Sequence, residues 1–219
     1  MKTKMLIFVF LLGITDLFAQ TLYVPGTIVK GKNASYYCSS ENEIFIKVNN
    51  VNNVDTTTTM YYDDGTVVPF DVGSAVIATK TEDLVRVFQE ALTQKETNIL
   101  KSKIIHLLIL NVVTDKQGNT REITFKFLND DPVMTKFDPD RLYQLEQELK
   151  KILKLDPNSL DKSIKNVKYF LPIDYKDLKW INLFLCKSAG RLKSFGTFFF
   201  GYSGTDLAVI LTILSMNAP

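Results

Sequence analysis

From Ile104 to Val113 nearly every residue is apolar, and the run breaks at Asp115-Lys116-Gln117-Gly118-Asn119. Beyond the break, Ile123, Phe125 and Phe127 alternate with Thr124 and Lys126. An apolar run that meets a polar Gly/Asn turn and returns with period two is a β-hairpin: the turn reverses the chain, and the alternation sends one set of side chains to a buried face.

Two amphipathic helices flank this hairpin. Thr79 with Glu82 fits a capping box, and Leu84, Phe88 and Leu92 follow at four-residue spacing, with Val85 and Ala91 widening the stripe. The second helix takes Asp138 as its N-cap and Pro139 in its first turn. Its apolar stripe is Leu142, Leu145, Leu149 and Ile152; Glu146 and Lys150 read as an i,i+4 pair on the wet side, and Asp156-Pro157 ends it. A strand then runs from Val167 to Tyr175, with Val167, Tyr169, Leu171, Ile173 and Tyr175 on one face. Pro172 cannot donate to a ladder, which puts this strand at an edge or gives it a bulge.

Residues 21–78 are β-rich. Thr27-Ile28-Val29, Tyr36-Tyr37-Cys38, Ile44 to Val48 and Met60-Tyr61-Tyr62 are short β-prone runs, and Asp63-Asp64-Gly65 before Thr66-Val67-Val68 is a hairpin signal. Val54 to Thr59 is a polar tract read as an exposed loop or edge. The fold class is α+β. The chain divides into a signal at 1–19, a β-rich region at 20–78, an α+β unit at 79–178 and an apolar C-terminal tail at 179–219.

The strand and turn Leu110 to Asn119, and the closing Val167-Lys168-Tyr169-Phe170-Leu171-Pro172-Ile173-Asp174-Tyr175, resemble TonB C-terminal domains in their order around an amphipathic helix. The resemblance covers under half of the chain. With the β-rich N-terminal part added, the layout is similar to uncharacterised secreted proteins of gut bacteria, a family to which no activity is attached. The resemblance implies a shared binding surface only. TonB-type energy transducers carry a retained membrane anchor and a long Pro-rich spacer, whereas the seven prolines here are scattered.

Lys2 and Lys4 precede the apolar run Met5 to Ile14, and Leu17-Phe18-Ala19 offers a small residue before a cut at Gln20. Asp16 stops the run short of the ~20 residues a membrane-spanning helix needs. The expected destination is the periplasm or the cell exterior, with no membrane span after cleavage. Export opens an oxidising compartment to Cys38 and Cys186; a bridge between them and two buried free thiols are both open readings. The tail is the least readable part. Phe195 to Tyr202 is aromatic and glycine-rich, Leu207 to Leu214 is apolar, and the expectation is two extended pieces packed on the fold.

Chemistry is sparse. Lys+Arg number 26 against 24 Asp+Glu, a net +2 that gives no polybasic surface for nucleic acid. One histidine and two cysteines exclude the usual zinc sets, and no cofactor is implied. His106 alternates with Ile104, Leu108 and Leu110 and reads as a core or edge residue. Asp63-Asp64, Asp130-Asp131 and Asp138 with Asp140 are explained by turns and a helix start. Asn33-Ala34-Ser35 matches an N-glycosylation acceptor. Asp55-Thr56-Thr57 resembles a short O-glycosylation acceptor at Thr56, against a plain solvated Thr-rich loop.

The leading functional reading is an exported binding or structural module, with no catalytic residue assigned. Its partner would be an extended peptide or an envelope protein, taken on the edge of the last strand with pockets between Tyr169, Leu171 and Ile173. The alternatives are a secreted hydrolase whose site motif reading misses, and an accessory component of an envelope transport system.

Overall fold

This computed structural model describes residues 21–55, 57, 59–69, 75–102, 107–175 and the backbone of 179–180. The expected signal at 1–19, Thr56, His106, Cys186 and the tail beyond Trp180 lie outside the described residues.

The strands are β1 (Ile28–Lys30), β2 (Ser35–Glu41), β3 (Phe45–Asn50), β4 (Leu107–Thr114), β5 (Thr120–Leu128), β6 (Val167–Asp174) and β7 (Lys179–Trp180). The helices are α1 (Thr81–Ala91), α2 (Gln94–Ser102) and α3 (Pro139–Ile152). The seven described strands pair antiparallel in the order β1-β2-β3-β5-β4-β6-β7, so the fold is α+β. β3 pairs with β5, which makes the β-rich N-terminal region and the following unit parts of one sheet with one core.

The expected hairpin is its centre. Asp115 Oδ1 accepts from the backbone N–H groups of Gln117 and Asn119, and Gly118 takes φ +81°, the left-handed turn that an L side chain resists. The same turn docks on the chain leaving α3. Leu155 N–H donates to the Gly118 carbonyl, and a Cβ at Gly118 would collide with the Leu155 carbonyl oxygen. The smaller turn at Gly65 closes on Tyr62 and Thr66, with Tyr61 bridging Val67, so the hairpin signal there yields a minimal two-stranded turn.

The core lies between one face of the sheet and the helices. Cys38, Val48, Leu110, Phe125, Leu171 and Ile173 face Leu84, Phe88, Leu142, Leu145 and Leu149. Asp138 caps α3 as expected, its Oδ1 accepting from the N–H groups of Asp140 and Arg141. On the opposite face Phe45, Leu107 and Ile109 form a second, smaller buried cluster. Lys126 lies beside them, 4.6 Å over the Phe45 ring and paired with Glu41.

Three expectations need correction. Thr79 does not cap α1: its hydroxyl donates to the Ile152 carbonyl and accepts from Lys154 N–H, bracketing the end of α3. The capping box belongs to Thr93 and Glu96 at the start of α2, a helix that the sequence reading left out. Glu146 is not on the wet side. It is fully buried and accepts from Tyr36 Oη, Asn50 Nδ2 and Lys150 Nζ, so the i,i+4 pair reaches inward.

Candidate functional site

Successive residues of an antiparallel strand turn their N–H and C=O groups alternately to either neighbour. On β6, Lys168 N–H points away from β4, and its hydrogen goes to the Met60 sulfur at 3.4 Å. Phe170 and Pro172 share that parity, so the missing donor of Pro172 costs no bond to β4. Among the described residues, β7 pairs with Ile173 and Asp174. From Lys168 to Pro172 the outer side of β6 therefore offers one thioether-capped N–H, one N–H at Phe170 with no described strand beside it, and one position without a donor.

A groove of about 360 Å³ opens beside this edge, lined by Val54, Asp55, Thr59, Tyr61, Lys165, Asn166 and Lys168. Its outer wall is a strap whose described residues are Val54, Asp55, Thr57, Thr59 and Met60. Glu122, Val113 and Lys168 stand in one cross-strand row on the face opposite the helices, and the outer two hold the strap. The Glu122 carboxylate accepts from Val54 N–H through Oε1 and from Asp55 N–H through Oε2, both at 3.0 Å. The Lys168 ammonium donates to Asp55 Oδ1, to the Thr57 carbonyl at 2.9 Å and to the Thr59 carbonyl at 2.7 Å. Asn166 Nδ2 reaches the other oxygen of Asp55 at 3.1 Å. Past the strap, Lys165 N–H donates to the Tyr61 carbonyl and Asp63 N–H to the Ser163 carbonyl. The chain at 61–63 thus runs as a partial neighbour to the residues entering β6, and the groove is where it draws away.

This arrangement suits backbone recognition. Val54 and Tyr61 are exposed apolar groups in its lining, and the Lys165 side chain is exposed there too. Among the described residues no group of three or more His, Cys, Asp or Glu is placed to hold a metal ion. Among them, too, no helix is long and apolar enough to cross a membrane.

Tyr169, Leu171 and Ile173 are 2%, 1% and 0% exposed and point into the core, so no peptide-selecting pocket lies between them. Among the described strands β6 is penultimate, edged by β7 over two described residues. The side chains that face outward are the intervening ones, Lys168 and the 46%-exposed Phe170. The alternation that marks the odd positions as core carries that information, and Pro172 marks which parity has its N–H groups on the outer side. Cys38 is a buried free thiol, and burial pushes its pKa up to about 11 against a smaller lowering by Thr27. Asp55, of the Asp-Thr-Thr acceptor motif, is tied to Lys168 and Asn166. Asn33, of the other motif, gives its backbone N–H to Asp140 at 3.1 Å.

No protein-family model matches the chain, and no curated protein matches it. Among solved structures, a DUF5043 family protein from Bacteroides uniformis ATCC 8492 is similar in fold. It is 17% identical, with a TM-score of 0.59 over 72% of this chain and 95% of that one. The likeness is one of fold, with a protein from a Bacteroides species.

Proposed function

We propose that the chain is an exported binding module that takes an extended polypeptide, such as a segment of an envelope protein, along the outer side of β6. The observation that carries this reading is that no described strand runs beside β6 from Lys168 to Pro172, with a groove beside the Lys168 end of that stretch. An added strand gains affinity from backbone hydrogen bonds whatever its sequence, and selectivity comes from the side chains that flank the edge. Here those are Phe170 and the exposed Lys165, which favour an apolar residue opposite the ring and a carboxylate at the groove mouth.

The apolar run at Met5 to Ile14 between Lys4 and Ala19 supports export, and the helix–hairpin–helix–strand order supports kinship with the TonB C-terminal fold. A binding role fits both. The test is Phe170→Pro, which removes the N–H beside which no described strand lies and no bond to β4. Against synthetic peptides of alternating Val and Thr with one varied position, the native protein should bind and the variant should not, with the circular dichroism of both alike. Equal binding by the two proteins would place the peptide elsewhere and refute the reading.

A further inference from the structure

The buried residues of all three helices join the cluster on one face of the sheet. The strand register sets the other face in rows. Phe45 and Leu128 stand opposite each other in the first, with Leu107 packed beside them. Lys126, Ile109 and Pro172 form the second, and Thr124, Asn111 and Phe170 the third. Side chains on an uncovered sheet face keep their tips in water. Here Phe45, Leu107 and Ile109 are 1%, 3% and 3% exposed, and Lys126, a cation in mid-face, is buried with them. Among the described residues, no helix residue belongs to this cluster. Phe170, one row on, is half exposed, and the strap's bonds to Glu122 and Lys168 lie in the row beyond it. The dry apolar ground is thus the end of the face at which β7 pairs with Ile173 and Asp174.

Trp180, the last described residue, therefore stands at the border of that patch. Residues 181–219 follow it and hold two apolar stretches, Phe195 to Tyr202 and Leu207 to Leu214. From β7 to β3 is four strand spacings, roughly 19 Å, which about six extended residues span. The side-chain oxygen of Asn111, beside the patch, is inaccessible and has no hydrogen-bond partner among the described residues. Such an atom requires a donor, and a covering polypeptide brings backbone N–H groups. We propose that residues 181–219 cover the second face of the sheet, seating apolar side chains over Phe45, Leu107 and Ile109. The sheet then lies between the helices and the C-terminal segment, and that face is closed to partners. The proposal is independent of the edge-binding reading.

The full chain tests it without a substitution. Photo-leucine, a diazirine analogue of leucine's size, replaces part of the leucine and carries a reactive carbon to Leu107 and Leu128. After irradiation, mass spectrometry should find peptides containing Leu107 or Leu128 joined to peptides from 181–219 in monomer-sized protein. Their yield should be unchanged on tenfold dilution, as for a contact within one chain. Crosslinks from Leu107 and Leu128 confined to residues 21–180 overturn the proposal. Crosslinks to 181–219 found only in a dimer-sized band, and fading on dilution, overturn it too, because a second copy then supplies the cover. Neither result bears on the peptide test at Phe170.

Discussion

Tyr36 on β2 donates its hydroxyl to Oε2 of Glu146 on α3, 2.9 Å across the interior. Asn50 on β3 bonds the same oxygen, and Lys150 reaches the other from the helix rim. Burial, with the Glu146 charge beside it, pushes the Tyr36 hydroxyl far above its ordinary pKa, so it stays a donor at every accessible pH. A buried carboxylate with three partners pins the register of α3 on the sheet more than it adds stability, because desolvation offsets much of the attraction.

Removing Lys150 leaves that carboxylate buried without its counter-charge. Lys150→Ala should cost roughly 1–3 kcal/mol, less than the ~3–5 kcal/mol of breaking a fully buried pair, because Lys150 keeps some contact with water. Lys151→Ala, whose partner Glu148 is exposed, should stay within about 0.5 kcal/mol. Urea denaturation of the two variants separates them.

Gly118 and Gly65 both take positive φ, at +81° and +85°. Only Gly118 also faces backbone, the Leu155 carbonyl. Gly65→Ala should therefore cost about 1 kcal/mol, the left-handed penalty alone, and Gly118→Ala roughly 2–4 kcal/mol because the turn must also leave α3. Equal melting temperatures would mean that the turn is not docked.

Arg141 grips Glu96 through both guanidinium nitrogens, at 2.9 and 2.7 Å, and lies over the Phe137 ring. Its hydrogen bonds hold the Glu96 carboxyl down at about 2, against the opposing pull of partial burial. A carboxyl depressed in the folded state stabilises above its unfolded pKa, near 4.3, and that contribution fades as pH falls toward 2. Discounted for partial exposure it is roughly 1–2 kcal/mol, lost between about pH 4.5 and 2. Glu96→Gln should flatten the fall of melting temperature over that interval; an unchanged slope would show that the pair contributes nothing.

Periodicity made the hairpin, α3 and β6 readable, because each buries one face and repeats its apolar residues at the matching interval. Thr79 and Glu146 were misread because local spacing carries no knowledge of the neighbour. Thr79 meets the end of α3 across 73 residues, and Glu146 meets Tyr36 and Asn50 across 110 and 96. Short α2 has Leu100 as its one fully buried residue and left little stripe to see. The site divides the same way. Pro172 pointed to an edge or a bulge on β6, but that Lys168 and Phe170 turn their N–H groups away from β4, and that a polar tract 108 residues upstream supplies Met60, follow only from the register.

The central claim is that β6 accepts a strand at Phe170, and amide hydrogen exchange of that residue with and without the Val/Thr peptides tests it most directly. Bound peptide should slow the Phe170 amide by about tenfold or more, while the Leu171 amide, which the parity of β6 directs to β4, stays as protected as before. A peptide that binds and leaves Phe170 exchange unchanged, or that protects the β1 edge at Ile28 and Lys30 instead, would contradict the account.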